Sequence, residues 1–262
     1  MNKKLFILIV ASILTLTCRC KQKKEITKEF EYIHGGIVRG DKNEKKIALV
    51  FTSDGYDDGY ETVRTTLKKH NAKGSFFFTG NAYRMSKFKT IVNTLKDDGH
   101  YLGAHSDKHL LYCSWEKRDS LLVTKSEYIE DVENNYIEMQ KFGIAKTDAP
   151  YYIPPFEYYN DTISAWTREL DLQLVNFTAG TGSNADYTVP SMGEKYRDSK
   201  TIYNNILKYE SEKPYGLNGF MLLIHFGVDA ERTDKLYNLM DSLMTDLENK
   251  GYSFVSVKEL LE

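Results

Sequence analysis

Two histidines and an aspartate have the residue types expected of a hydrolytic metal site. His105 and His109 are four residues apart, and Asp54 directly follows an earlier apolar segment. On a helix this histidine spacing would put both rings on one face, so their nitrogens could converge on one ion. Three protein ligands leave a position open for water, whose pKa zinc lowers to about 7. The pattern therefore predicts a metal-activated nucleophile; a chance spacing among six histidines is the competing interpretation.

The elements that must position these residues alternate along the chain, which predicts a parallel sheet or barrel in an α/β fold. Continuous apolar runs or short segments rich in aromatic residues predict strands at 46–53, 74–79, 100–104, 151–153, 172–177, 219–226 and 252–255. Helices are predicted between them at 58–70, 85–96, 115–142, 160–170 and 231–250. In such folds, active sites gather at the carboxyl ends of the strands.

Four separate polar clusters fall at these strand ends. Asp54 follows the first predicted strand, the histidine pair follows the third, the segment 154–157 follows the fourth, and His225 ends the strand at 219–226. A histidine at that place is suited to proton transfer, although a structurally satisfied histidine would fit there equally well. The convergence of the clusters, rather than any one of them, predicts an active site.

From about Gly40 to Leu261 the chain resembles the NodB-type polysaccharide deacetylases, carbohydrate esterase family 4. The segment 48–56 resembles a shortened form of the family's first motif, a strand followed by threonine, an aromatic residue, two aspartates and glycine. The segment 105–109 reproduces the second motif: histidine, serine, two variable residues, histidine. The segment 153–156 keeps the third motif except for its arginine, which is Ile153 here, and 223–225 fits the fifth.

The resemblance implies a fold, a reaction and a cofactor. The fold is a distorted (β/α)7 barrel, a single catalytic domain expected over residues 39–262. The reaction is hydrolysis of N- or O-linked acetyl groups on a polysaccharide or oligosaccharide by metal-activated water. One divalent ion, zinc with cobalt and nickel as alternatives, is assigned to Asp54, His105 and His109, and the expected partner is an acetylated glycan.

The resemblance also assigns roles around the acetyl group. His225 would protonate the departing amine or alcohol, and Asp186 would orient His225, although the family's fourth motif is poorly matched and Asp186 could serve only to shape its loop. The backbone amide of Phe156 would stabilise the oxyanion. Leu223 would line the pocket for the acetyl methyl group, or is an ordinary core leucine.

The first and third motifs depart from the family pattern on the side of the catalytic base. The family has two adjacent aspartates, base and then metal ligand, whereas Asp54 is followed by Gly55. Either Asp54 is the base and a ligand is lost, or Asp54 is the ligand and the base is Asp57 or Asp58. We favour Asp54 at the metal; the simpler interpretation of Asp57 and Asp58 is a helix entrance. In the family this arginine helps to position the base carboxylate. Its loss therefore agrees with a different arrangement of the catalytic base in this chain.

These departures leave alternatives to a standard deacetylase. A catalytically inactive glycan-binding relative would keep the barrel and its aromatic cleft, although it would not need His105, His109 and His225 together. A hydrolase of some other amide is a further alternative, because fold does not fix substrate. The loop at 178–199 would either close over the substrate or be a plain surface connection.

Composition and the amino-terminal segment limit partners and location. The chain has 262 residues, a net charge of −2 and no long basic run, which argues against nucleic-acid binding.

Residues 1–20 read as a signal peptide, with lysines before the apolar run 5–16, and 21–38 as a tether and lead-in. Cys18 fits loosely an acylated bacterial lipoprotein site. The sequence thus predicts export, as a periplasmic or membrane-anchored lipoprotein of a bacterium; plain secretion is the alternative, and oligomeric state is left open.

Overall fold

The computed structural model describes residues 28–262 of the chain. The predicted signal peptide, with Cys18, and residues 21–27 of the predicted tether lie outside the described residues. The strands are β1 Glu31–Ile33, β2 Gly36–Arg39, β3 Lys46–Ser53, β4 Ser75–Phe78, β5 Tyr101–Ala104, β6 Tyr151–Tyr152, β7 Gln173–Leu174, β8 Phe220–His225 and β9 Ser253–Val255. The helices are α1 Tyr60–Lys69, α2 Gly80–Arg84, α3 Ser86–Asp97, α4 Lys125–Gln140, α5 Asp161–Glu169, α6 Ser199–Glu212, α7 Met240–Asn249 and α8 Val257–Leu261.

The strands form a distorted barrel. They are hydrogen-bonded in the order β1-β2-β8-β3-β4-β5-β6-β7, with β9 alongside β3. Pairing is parallel from β8 through β3 to β7, whereas β2 is antiparallel to β8. A parallel bridge between Ile37 of β2 and Val175, just beyond β7, joins the two sides of this path. The predicted (β/α)7 barrel is confirmed, with the antiparallel β2 as its distortion.

Apolar packing fills the barrel and makes its centre rigid. Residues 47–51 of β3 and 220–224 of β8 are all buried, as expected of strands covered on both faces. Phe51 stacks on Phe76 of β4 with ring centroids 4.8 Å apart. At their carboxyl ends β3 and β8 become polar, and the register places Thr52 beside His225. The core therefore fixes the positions of the side chains at the carboxyl ends of the strands.

Two predicted helices begin later than expected. The helix predicted at 115–142 begins at Lys125, because the Thr124 side chain and Glu127 form a reciprocal capping box. Most of residues 115–124 are therefore loop. The helix predicted at 231–250 begins at Met240, after the 3₁₀ turn Leu236–Leu239.

Other elements were absent from the sequence prediction. These are α2, α6, α8 and the β1–β2 hairpin, so the segment assigned to tether and lead-in already contains most of β2. The predicted loop 178–199 contains the 3₁₀ turns Ser183–Tyr187 and Pro190–Lys195. Within residues 28–262 we find no helix of the length and apolar character that spanning a membrane requires.

Candidate active site

A cleft of about 590 Å³ opens at the carboxyl ends of the barrel strands. This size is typical of a site for a small molecule or a short part of a polymer. Its lining residues are Thr52, Ser53, Asp54, Tyr56, His105, His109, Trp115, Phe156, Glu157, Tyr187, Val189, Met192, His225, Gly227, Val228, Asp229 and Glu231. The four clusters identified at predicted strand ends are therefore brought together.

The two histidines converge, but not on a helix. His105 and His109 lie in a loop after β5, with ring centroids 5.0 Å apart. Ser106 and His109 have φ angles of 70° and 55°, in the left-handed region, and the Ser106 hydroxyl accepts the backbone N–H of His109 at 3.0 Å. The expected one-turn helical arrangement is wrong, because a tight turn rather than a helix brings the rings together.

The backbone holds His105 through its ring Nδ1 and its own N–H, and the ring Nε2 makes no hydrogen bond within the described residues. Its Nδ1 lies 2.9 Å from the carbonyl oxygen of Ile153, which can only accept, so Nδ1 carries the proton. Its backbone N–H donates to Asn135 Oδ1 at 2.8 Å. Burial, followed by the charge of His109, holds the pKa of His105 well below its usual range. The neutral ring therefore leaves Nε2 as a lone-pair donor, the form in which histidine binds metals.

Helix α4 supplies the support behind this loop. Asp131 accepts the backbone N–H of Lys108 at 2.9 Å and the Tyr112 hydroxyl at 2.6 Å, and its carbonyl accepts the N–H of Asp107. Burial raises the pKa of the Asp131 carboxyl. Sequence reasoning missed Asp131 and Asn135; their signal was two polar residues four apart on one helix face, both of which are buried here.

Asp54 faces the same cleft from the end of β3. Its Oδ1 accepts the Thr79 hydroxyl at 2.6 Å and the Asn81 amide at 3.2 Å. Burial lowers the pKa of His109, and the charge of Asp54 opposes that effect, so the two side chains interact.

Two imidazoles and a carboxylate suit a divalent ion by donor chemistry, and the free Nε2 of His105 fits that use. Within residues 28–262, no three His, Cys, Asp or Glu side chains stand at the spacing of a fully assembled metal site. The donor set therefore fits the ion by residue type and tautomer, and the side chains must adjust to close around it.

His225 and Asp186 form a buried pair at the other side of the cleft. Asp186 lies in the 3₁₀ turn Ser183–Tyr187 and is 2% exposed. Its Oδ1 is 2.5 Å from His225 Nδ1, and its Oδ2 accepts the backbone N–H of His225 at 2.8 Å. Burial lowers the pKa of His225, but the charge and hydrogen bond of Asp186 outweigh it, so the pKa is raised. The ring can therefore present a protonated Nε2 to the cleft.

Neither Asp57 nor Asp58 is among the residues that line the cleft, and both carboxylates already have partners, which argues against either as the base. Asp57 pairs with Lys87 at 2.5 Å. Asp58 is held by the Val228 backbone N–H, the Tyr237 hydroxyl and the Lys235 amine. They do lie at the entrance of α1, but the capping position is Gly59, with no side-chain cap. The residue that precedes Asp54, Ser53, donates its hydroxyl to the Tyr56 carbonyl at 2.6 Å.

Phe156 and Leu223 differ in their access to the cleft. Phe156 lines it, is 43% exposed and has a φ of 59°. Leu223 lies two residues deeper than His225 on the same face of β8, and its side chain is fully buried. Leu223 is not among the lining residues, so the core interpretation describes its position.

Glu157 belongs to the segment 154–157 that the sequence placed at a strand end, but sequence reasoning gave it no role of its own. Its side chain is 13% exposed, and its Oε1 lies 3.8 Å from His105 Nε2. Burial raises the pKa of Glu157 to about 7, against the lowering effect of the His225 charge. The only sequence signal was a charged residue directly after the Pro-Pro-Phe segment at a strand end.

Comparison with known proteins identifies related sequences. The family model for polysaccharide deacetylases matches residues 39–175. The peptidoglycan-N-acetylmuramic acid deacetylase PdaA of Bacillus subtilis is 27% identical over 224 residues, which cover 85% of this chain and 73% of the relative. A peptidoglycan-N-acetylglucosamine deacetylase of Bacillus cereus is 27% identical over 221 residues, covering 84% of this chain and 89% of the relative.

Solved structures share the fold. The structure of Bacillus subtilis PdaA, a family 4 carbohydrate esterase, matches with a TM-score of 0.66 at 24% identity, covering 87% of this chain and 85% of that one. A CE4 family pseudoenzyme from Bacillus anthracis matches with a TM-score of 0.67 at 16% identity, covering 88% of this chain and 70% of that one. At these identities the structural similarity establishes the barrel architecture, and function has to be argued from the site.

Proposed function

Because the chain belongs to the polysaccharide deacetylase family, we propose that it hydrolyses acetyl groups from an acetylated glycan at the cleft described above. The observation that carries this proposal is the Asp186–His225 pair facing His105, His109 and Asp54 across one cleft. A proton donor on one side and metal-binding side chains on the other are the groups that amide or ester hydrolysis requires.

We assign a divalent ion, with zinc as the first choice, to Asp54, His105 and His109. When bound, the ion would supply Lewis-acid polarisation of the acetyl carbonyl and of a water molecule. The support is the donor set and the tautomer of His105, whose Nδ1 is occupied by the Ile153 carbonyl. That hydrogen bond orients the ring and raises its basicity toward a ligand at Nε2.

The proton donor of the reaction is His225. Asp186 holds Nδ1 and stabilises the charged ring, so the proton on Nε2 can pass to the nitrogen or oxygen that leaves as the acetyl bond breaks. The backbone amide of Phe156 lies beside this region and is proposed as a donor to the oxyanion. Because both groups are fixed by the barrel end and its loops, little reorganisation is needed during the reaction.

Aromatic side chains around the cleft support a sugar polymer as substrate. Trp115 and Tyr187 are 58% and 49% exposed, and both line the cleft. Exposed aromatic rings next to a polar site offer flat apolar faces for sugar rings. The two relatives above are named for activity on peptidoglycan, so we propose acetylated peptidoglycan as the first substrate to test.

The direct test is acetate release by the purified chain from residue 25 onward. The substrates are peptidoglycan fragments, N-acetylglucosamine oligomers and acetylated xylan, each assayed after metal removal and after reloading with zinc, cobalt or nickel. We expect release from at least one glycan, restored by a metal and lost in His225→Ala. No release from any substrate with a metal bound would contradict the proposal.

An inactive glycan-binding protein is the second candidate. It is favoured by Ser53, the residue before Asp54, whose hydroxyl is committed to Tyr56, and by the pseudoenzyme among the structural neighbours. This candidate predicts glycan binding without acetate release. Calorimetric binding of the same oligomers, run beside the acetate assay, separates the two functions.

We also propose that the chain is exported, with Cys18 as an acylated anchor. Fractionation of cells expressing the full chain tests this proposal. Membrane association of the native chain that is lost in Cys18→Ser is the expected result, and an unanchored exported protein would instead support plain secretion.

A further inference from the structure

The carboxylates that line the cleft differ in how far their oxygens are already engaged. Asp229 accepts the backbone N–H of Glu231 at 2.8 Å. Glu231 accepts both the backbone N–H and the hydroxyl of Ser191 at 2.9 Å. Asp229 therefore holds the turn that leads into Glu231, and Glu231 uses both carboxylate oxygens to hold the separate loop that contains Ser191.

The other acids near the reaction centre are also committed. Asp54 accepts two side-chain hydrogen bonds on Oδ1 and is assigned to the metal. Asp186 uses one oxygen for the ring of His225 and the other for its backbone. Among the described residues that line the cleft, Glu157 is the carboxylate that neither accepts a backbone N–H nor is assigned to the metal.

Glu157 also occupies the central position of the site. Its Oε1 lies 3.8 Å from His105 Nε2, the nitrogen that is free for a metal, and its charge interacts with that of His225. Thr52, at the end of β3, lines the same cleft as Glu157. The carboxylate is thus placed between the metal-binding side and the proton-donating side of the cleft.

The backbone that delivers Glu157 is unusual. Phe156 and Glu157 are consecutive non-glycine residues with φ angles of 59° and 52°. Left-handed conformations cost roughly 1 kcal/mol each for such residues and persist only where the surroundings enforce them. The Asn176 side chain enforces this one by donating to the Glu157 carbonyl at 2.7 Å. Residues held in this way cluster at functional sites.

We propose that Glu157 is the catalytic carboxylate that receives the proton of the attacking water. This inference rests on the proposed deacetylase function and assigns its base. It replaces both sequence hypotheses, in which the base was Asp54 or one of Asp57 and Asp58. The chain therefore carries its second acid on the loop after β6 instead of next to Asp54 at the end of β3.

The proton balance of the step is complete with the residues present. One water proton goes to Glu157 as the water oxygen bonds to the acetyl carbon. His225 then gives its Nε2 proton to the leaving amine nitrogen, or to the alkoxide oxygen of an ester, as the bond to the acetyl carbon breaks. Acetic acid leaves with the water oxygen and the second water proton, which it releases to solvent as it becomes acetate, and the proton on Glu157 returns through solvent to His225. No oxidant, reductant or further reactant is needed.

The test compares Glu157→Gln with the full wild-type chain and with Asp57→Asn. Glutamine keeps the size and polarity of Glu157 but accepts no proton, and Asp57 is a carboxylate that pairs with Lys87 and is not among the lining residues of the cleft. Acetate release is measured beside zinc affinity by titration calorimetry. We expect Glu157→Gln to lose about 100-fold or more in kcat while still binding zinc, and Asp57→Asn to match wild type in both.

A third variant, Glu157→Ala, opens room for an external carboxylate. We expect added formate, which is not a product of the reaction, to restore part of its activity and to have no effect on wild type. Near wild-type turnover by Glu157→Gln would overturn this proposal alone. Loss of zinc binding in Glu157→Gln would make the residue a metal ligand and also overturn it. A zinc-loaded wild type without acetate release would instead contradict the deacetylase function itself.

Discussion

Asp186 binds His225 twice, through the ring Nδ1 at 2.5 Å and through the backbone N–H at 2.8 Å. The first contact raises the pKa of the imidazole against the lowering effect of burial. The second fixes the strand end from which the ring projects. One buried carboxylate therefore sets both the protonation and the position of the proposed proton donor.

The first prediction concerns the pH dependence of catalysis in Asp186→Asn. Removing the charge lowers the pKa of His225, and the reaction needs its protonated form. The alkaline limb of kcat against pH should therefore move to lower pH, with a loss of about 100-fold or more near neutral pH. A pH series for variant and wild type measures this. An unchanged alkaline limb would show that Asp186 only shapes its loop.

The second prediction concerns metal content. The double variant His105→Ala, His109→Ala should lose the ion that wild type carries. Among residues 28–262, the one other histidine that lines the cleft is His225, which cannot replace both ligands. Elemental mass spectrometry should give about one ion per wild-type chain and close to none in the variant. Circular dichroism checks that the variant is folded. Equal metal content in both proteins would rule out this ligand set.

The third prediction concerns stability in acid. Burial first, then the charge of Lys73, lowers the pKa of His100 to about 4, and its Nδ1 accepts the backbone N–H of Gly74. The unfolded chain takes up this proton near pH 6.5. The folded state is therefore stabilised above that pH, and this stability is lost as pH falls toward about 4.

His100→Gln measures this contribution, because its amide oxygen can accept the same hydrogen bond. Urea unfolding of the metal-free proteins should show a shallower loss of stability in the variant between pH 6.5 and 4. The difference is at most about 1 kcal/mol per pH unit, since solvent screens this half-buried group. Parallel curves for the two proteins would contradict the assignment.

The fourth prediction concerns Gly227, where two loops of the cleft meet. A Cβ at this position would lie 2.4 Å from Asp58 Oδ1 and 2.6 Å from the backbone nitrogen of Asp57. Gly227→Ala should therefore destabilise the fold by about 1–3 kcal/mol and reduce activity. Gly182→Ala is the comparison, because it meets open space and has only an unfavourable φ of 73°. Thermal unfolding measures the stability of both variants. If Gly227→Ala lost less stability than Gly182→Ala, the close approach at Gly227 would be contradicted.

The fifth prediction concerns the aromatic rim. Trp115 is 58% exposed, and its ring centroid lies 4.2 Å from that of Tyr158. Trp115→Ala should raise KM for a glycan oligomer several-fold and leave hydrolysis of a small acetate ester unchanged, because only the polymer reaches the ring. Tyr32→Ala, at an exposed aromatic on β1, should change neither. Equal losses on both substrates would indicate a structural role.

Much of the barrel could be predicted from local sequence patterns. The apolar runs of β3, β4 and β8 are continuous because both of their faces are covered, and such runs are visible without knowing their neighbours. The strand ends then place Asp54, His105 and His225 at one edge. Strands β6 and β7 also lie within predicted segments, whereas the β1–β2 hairpin was missed; β2 joins the sheet by pairing with β8, which is distant in sequence.

The tertiary structure alone decided which polar groups are free to react. Asp57, Asp58 and Glu157 are all carboxylates near a motif, and only their partners distinguish them. Asp57 pairs with Lys87 from α3, and Asp58 is held by residues near β8, whereas Glu157 turns into the cleft. The sequence by itself determined the barrel and the histidines. The partners of these carboxylates come from other chain segments, 30 residues away for Asp57 and 170 for the Val228 contact of Asp58, so the assignment of the base had to wait for the fold.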